Sequence, residues 1–331
     1  NKVGYVVEID PLNPNSTPKK HTALGRFKHE NAELVISKNG KIVVYMGDDE
    51  RGEYLYKYVS NKSINEVKDK STLLSDGNLF AAKFNDNFTG EWLLLDTQTT
   101  GFSSKAEVCI FTRIAASKVG ATTMDRPEWI ASNPKKNEVC CCLTNNKNRG
   151  IKTNKGGDKV EVDKVNPRKN NKYGQIVRWK PRDNNHSSVY FEWDLFVVAG
   201  NPNVHDDNNR GSKNIDKENM FNSPDGLKFD KYGRLWIQTD GNYSNSGDFK
   251  GMGNNQMLIA DTNTGKIKRF MVGPKECEVT GLSFAPDYKT VFVGIQHPGE
   301  RLGGNFPDNG NNKPRSCIIA IQKKDGSQVL T

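Results

Sequence analysis

The chain has 331 residues, 34% of them hydrophobic, and a formal net charge of +9. That apolar content suffices for one large core or two smaller ones, and the absence of any run of eighteen apolar residues excludes a membrane-spanning helix. The 48 Lys and Arg residues are scattered, with no aromatic-interleaved basic patch; net charge then speaks to solubility and steering, and no nucleic-acid partner is expected.

The chain opens "NKVGYVVEIDP", already strand-like, without an initiator Met and without a signal peptide. It reads as a piece whose beginning was removed, so the compartment is not legible there. Strand-length runs follow in order: "VGYVVEID", "KIVVYMGDD", "EYLYKYVS", "GNLFAAKF" and "EWLLL". A helix is expected over Thr112–Val119 and a helical turn near Asp125–Ile130. Then come "EVCCCLTNN", "GQIVRWKP", "WDLFVVAGN", "GLKFD", "RLWIQTDG", "QMLIADT", "KIKRFMVG", "GLSFAPD", "KTVFVGIQH" and "SCIIAIQ".

Many short strands separated by Gly, Asn, Asp and Pro argue for an all-β chain. Two modules look alike, "SPDGLKFDKYGRLWIQTDG" and "VTGLSFAPDYKTVFVGIQH". They start about 55 residues apart, the scale of one propeller blade. A β-propeller, six-bladed, is the expected fold, with a β-sandwich bearing long loops as the alternative. The polar connections Thr144–Gly174 and Asn201–Met220 read as mobile loops or flaps over a site. No linker is evident, so residues 1–331 are expected to form one domain; oligomeric state is not legible.

Asn is very frequent, 37 residues, and a Lys/Asn bias by itself accounts for the basic charge. The six Cys show neither Cys-x-x-Cys nor zinc-like Cys/His spacing. Adjacent strand residues point to opposite faces, so "VCCCLTNN" does not present three thiols together. The cysteines are expected to be buried small hydrophobes, with no disulfide framework.

The segment from Phe221 to Asn242 reads as a hairpin with an acid at each open end, Asp225 and Asp240. Both acids could simply shape Asx-type turns. Carboxylates recur at other strand ends, however: Glu30; Asp48, Asp49 and Glu50; Glu128; Glu278; Glu300. In a propeller such ends converge on the central channel. Clustered acids repel and titrate upward unless a cation intervenes, and oxygen-rich clusters suit calcium or iron. Salt bridges to nearby Lys and Arg are the plainer explanation for any single acid.

As a set, "GRFKHENA", "YMGDDERGEYLYKYV", "GNLFAAKFNDNFTGEWLLL", "MDRPEWI", "LTNN", "SPDGLKFDKYGRLWIQTDG", "CEVTGLSFAPD" and "VGIQHPGE" resemble the PhoX-type alkaline phosphatases over nearly the whole chain. The resemblance implies a propeller phosphomonoesterase acting on phosphorylated small molecules, periplasmic or secreted, with calcium and iron as cofactors. Residue by residue it implies Glu30, Asp49, Glu128, Asp225, Asp240, Glu278 and Glu300 as metal ligands. It implies Glu128 and Trp129 at the catalytic pocket. Arg126 and Lys275 are the basic residues expected to assist with phosphate. The family also uses an upstream segment with a Cys iron ligand and a "CEE"-like stretch, which has no counterpart here, so an incomplete iron site is expected. Two alternatives remain: a non-catalytic propeller of the same family, and a calcium-dependent lactonase-like hydrolase, since "PDGL…GRLW" is shared with lactonase-type propellers.

Overall fold

The structure, a computed structural model, describes residues 2–301 and 303–329. A short ribbon, β1 (Val6–Glu8) with β2 (Lys19–His21), precedes four antiparallel meanders. The first comprises β3 (His29–Ile36), β4 (Lys41–Asp48), β5 (Leu55–Ser63), β6 (Gly77–Phe84) and β7 (Thr89–Leu95). Three short helices follow: α1 (Thr97–Thr100), α2 (Lys105–Ile110) and α3 (Thr112–Lys118). The second meander is β8 (Pro127–Ser132), β9 (Val139–Leu143), β10 (Gln175–Pro181) and β11 (Tyr190–Val198). The third is β12 (Pro224–Phe229), β13 (Arg234–Thr239), β14 (Gln256–Asp261) and β15 (Ile267–Val272). The fourth is β16 (Glu278–Phe284), β17 (Thr290–Gln296) and β18 (Cys317–Gln322).

The leading strands lie side by side, β3 against β8, β8 against β12 and β12 against β16. That radial stacking is the blade arrangement of a propeller. The all-β, propeller-like fold expected from the sequence is therefore what forms, rather than a sandwich, and the described residues form four blades. Strand periodicity decides which faces are apolar. Cys141 packs beside Tyr45 and Trp179 between the first and second blades, whereas Cys140 and Cys142 pack beside Leu227 and Ile237 between the second and third. Trp236 joins Val279, Val291 and Val293 between the third and fourth.

β7 pairs with β11, so the first two blades share one continuous sheet whose outer strands, β3 and β8, meet. Side chains stitch that seam. Asn31 donates to the Ile130 carbonyl at 2.8 Å and accepts the Ile130 N–H at 3.0 Å, and Glu33 accepts the Ser132 N–H at 2.9 Å. β4 also approaches the start of β8 so closely that a Cβ on Gly47 would stand 2.5 Å from the Pro127 carbonyl oxygen. Only glycine fits there.

The helix expected over Thr112–Val119 is α3. The helical turn expected near Asp125–Ile130 is instead extended and enters β8, because Pro127 disfavours the α region for the residue before it; Arg126 takes φ 57°. The helices pack Val108, Ala115 and Ala116 onto Ile42, Val44 and Met46, covering the outer face of the first blade. The two long polar connections are also held down by buried side chains. Arg149 and Asn171 anchor the first, and Asn201 and Asn219 the second.

Glu53, between β4 and β5, lies buried beside Asp48 and Asp158. Its nearest cation, Arg113, stands 3.5 Å away and spends two shorter bonds, 2.7 and 2.6 Å, on Asp48. Burial pushes the Glu53 carboxyl up to about 7. A carboxyl whose folded value lies above its unfolded value favours the native state while protonated. That contribution is lost as pH rises from about 4.5 to about 7. Glu53→Gln is therefore expected to raise unfolding free energy at pH 8 by roughly 1–3 kcal/mol. The gain should vanish near pH 4, as read by urea titration at both pH values. An equal effect at both would mean that Glu53 does not titrate in this window.

Candidate metal centre

Each of β3, β8 and β12 carries an acid within its first two residues, Glu30, Glu128 and Asp225, and Glu278 opens β16. In the first three strands the acid lies inside a register break: His29/Ala32, Pro127/Ile130 and Pro224/Leu227. Such a bulge turns its extra side chain out of the ladder. Antiparallel pairing then places the end of each second strand beside the start of the first. Asp49 follows β4, Thr144 follows β9, Asp240 follows β13 and His297 follows β17. One end of the four blades is consequently ringed by carboxylates.

Two groups have ligand atoms all within 4.8 Å of one another: Glu30, Glu128 and Asp225; and Asp240, Glu278 and His297. Glu128 and Asp225 are almost fully buried, and Glu30 stands exposed at the mouth. Burial first, and then the charge of Asp225, raises the proton affinity of Glu128. Burial followed by the charges of Glu278 and Asp240 does the same to Asp225. Burial and Asp240 raise Glu278; burial and Asp49 raise Glu30. Burial also raises Asp240, against the opposing pull of His297 and Arg126.

One arginine enters this ring. Arg126 donates to Asp49 at 2.7 and 3.1 Å and to Glu128 at 2.9 Å. Its left-handed backbone (φ 57°) is the kind of strain that persists where surrounding structure enforces it. The residue before it, Asp125, is fixed by Arg149 at 2.7 Å and Asn171 at 2.9 Å. Asp225 and Asp240 have no side-chain hydrogen-bond partner among the described residues. The local Asx-type turn that would explain them is therefore not made. Asp230, in the turn of the same hairpin, does make it, accepting from the N–H groups of Tyr232 (2.9 Å) and Arg234 (3.1 Å).

Glu278 accepts from the Gln296 amide at 2.6 Å, so Asp225 and Asp240 are members of the two groups left with neither donor nor close cation among the described residues, and buried carboxylates that outnumber their cations are paired poorly by protein alone. An oxygen-rich set of this kind fits a hard cation. The group holding His297 adds an imidazole, which also suits a transition metal such as iron.

Separate partners sort the "GDDE" acids at the end of β4. Asp48 is taken by Arg113 and Glu50 by Lys28 (3.0 Å) and Lys155 (2.6 Å), leaving Asp49 to the ring. Glu300 lies on an exposed loop, where it accepts from the Tyr243 hydroxyl at 3.2 Å, outside both close groups. Trp129 packs against the core of the second and third blades. The Lys275 carbonyl accepts the Gly299 N–H at 2.9 Å.

Sequence reasoning missed His297, since it sought His partners by local spacing. The available signal was positional: His297 ends the second "GL…" module where Asp240 ends the first. It also missed Asn255, which accepts from Thr239 and Gly241 and donates to the Cys277 carbonyl at 2.8 Å, tying the Asp240 turn to the strand that starts at Glu278.

A sequence model of the alkaline phosphatase PhoX family matches residues 1–299. Among solved structures, Pseudomonas fluorescens PhoX in complex with vanadate, a transition-state analogue, is 55% identical over 98% of this chain, with a TM-score of 0.92. The chain spans 58% of the length of that structure. A gluconolactonase from Xanthomonas campestris is 10% identical over 82% of this chain and 55% of its own, with a TM-score of 0.35. No curated protein matches the chain significantly.

Proposed function

Because this chain belongs to the alkaline phosphatase PhoX family, we propose that it forms the metal-holding part of a phosphomonoester hydrolase acting on phosphorylated small molecules. The observation that carries the reading is the ring of blade-end acids in which buried Asp225 has no side-chain partner. Glu30, Glu128 and Asp225 would hold one cation, and Asp240, Glu278 and His297 another. Calcium fits the all-carboxylate group, and iron fits the group with imidazole. When bound, such ions supply Lewis acidity toward phosphate oxygens and acidify a coordinated water.

The chain's own residues supply position and charge. Arg126 presents a planar fork of donors suited to phosphate as well as to carboxylate. Its bonds to Asp49 and Glu128 hold the guanidinium at the ring, where it binds and orients the substrate phosphate. Trp129, next to Glu128 and packed on the core, borders the mouth. Glu300 forms the outer rim together with Tyr243. The family resemblance supports export to the periplasm or the medium. Among the described residues no helix is long and apolar enough to cross a membrane.

Elemental analysis of the purified chain tests this. Calcium together with iron is expected. Calcium alone would favour a lactonase-like hydrolase, and no retained metal a non-catalytic propeller.

A further inference from the structure

Asp240 joins a carboxylate without a side-chain partner to a tightly held backbone. Its N–H donates to the Ser223 carbonyl at 3.1 Å, and two buried asparagines flank the turn it opens. Asn222, ahead of β12, accepts the Asn242 N–H at 2.8 Å and donates to the Asn242 carbonyl at 3.3 Å. Asn255, ahead of β14, accepts the Thr239 hydroxyl at 2.8 Å and the Gly241 N–H at 2.7 Å, and donates to the Gly241 carbonyl at 3.1 Å.

Asn255 also reaches the entry of the fourth blade. It donates to the Cys277 carbonyl at 2.8 Å, one residue before Glu278, and its backbone carbonyl accepts the Gly273 N–H at 2.7 Å. The connection from β15 to β16 is thereby held at both ends. It is drawn in closely: a Cβ on Gly273 would stand 2.6 Å from the Cys277 sulfur. Asn255 is 3% exposed, and its two donors and two acceptor lone pairs are all used. Only one orientation of the amide satisfies these partners, because carbonyls accept and the Gly241 N–H donates. An aspartate here would lose both donated bonds, and a leucine all four. The Asp240, Glu278 and His297 ligand atoms lie within 4.8 Å of one another, although Asp240 follows β13 of the third blade and the other two frame β16 and β17 of the fourth. One side chain therefore bonds the residues on both sides of Asp240 and the residue before Glu278.

We propose that Asn255 is a positioning residue of the metal centre: it fixes the separation of two acids that come from different blades, and with it the affinity of the group that His297 completes. Bonds that hold ligands in place before the ion arrives strengthen its binding. The proposal rests on the metal-holding reading given above.

Chelator titration of the purified chain, read by retained iron and calcium and paired with melting temperature, tests it. In Asn255→Leu the chelator concentration that strips half of the iron is expected to fall about 10–100-fold, whereas calcium in the Glu30, Glu128 and Asp225 group should be stripped as in the wild type. Asn255→Ser, which keeps a hydroxyl in the frame and perturbs folding less, should lose less than Asn255→Leu. The control is Asn219→Leu: Asn219 is also buried and donates to the Ile267 carbonyl at 3.1 Å, at the other end of the same blade. It should lower the melting temperature without a selective loss of iron. Iron held equally well by both Asn255 variants, or iron and calcium lost together in the Asn255 and Asn219 variants alike, would make Asn255 a residue of the fold alone and overturn the proposal. A wild type that holds no iron would overturn the assignment of this group, and the proposal with it, before any variant is compared.

Discussion

On the proposed phosphatase reading, Asp240→Ala is expected to lower turnover of p-nitrophenyl phosphate by about 10²–10³-fold, the scale of losing one electrostatic stabiliser of the transition state. Bound metal should fall with it. The carboxylate sits with Glu278 and His297 inside 4.8 Å and has no hydrogen-bond partner among the described residues. Its removal therefore breaks no local turn. In the metal-free chain, loss of one like charge beside Asp225 and Glu278 relieves repulsion, so thermal stability should hold or rise. In the presence of calcium the variant should lose the stabilisation that the wild type gains by binding the ion. The measurement is paired: turnover with metal content, and melting temperature with and without calcium. A variant that retains both turnover and metal, but melts lower in either condition, would make Asp240 an architectural residue of the hairpin.

The second large effect lies outside the ring. Arg149→Ala is expected to destabilise the chain by about 3–5 kcal/mol, because it strands Asp125 as a buried, uncompensated charge. Both side chains are fully buried, 2.7 Å apart. Arg149 also donates to the carbonyls of Glu161 (2.8 Å) and Thr123 (2.7 Å), so one side chain fastens the 144–174 connection to the entry of β8. The double variant Asp125→Asn/Arg149→Met should lose less than Arg149→Ala, since no lone charge remains. Urea unfolding at pH 7 reads both. A cost below about 1 kcal/mol for Arg149→Ala would mean that water reaches the pair. The register of Arg126, one residue beyond Asp125, depends on the same anchor, so a folded Arg149 variant should also bind metal more weakly.

What was legible from residues alone was periodic. Alternating apolar runs, the turn "DKYG" and the repeated "GL…" modules specify strands and blades, because side-chain alternation and turn chemistry act over a few residues. The same alternation separates Cys141 from its two neighbours, whereas Asp49 is singled out from Asp48 and Glu50 only by the family resemblance. Even the acids of the ring stand out in the sequence as strand-end carboxylates.

Tertiary structure alone decided which of them meet. Asp225, Asp240 and Asp230 look equivalent within "SPDGLKFDKYGRLWIQTDG". Asp230 closes a local turn, whereas the other two face residues far away in sequence, Glu278 among them. His297 joins because β17 ends where β13 ends, a relation set by blade packing rather than by spacing. The polar connections read as mobile loops or flaps, yet Asn171 and Asn219 within them are buried and hydrogen-bonded, as is Asn255 elsewhere. An amide side chain is polar in a sequence whatever its partner; only the folded chain shows whether water or a buried backbone group receives its hydrogen bonds.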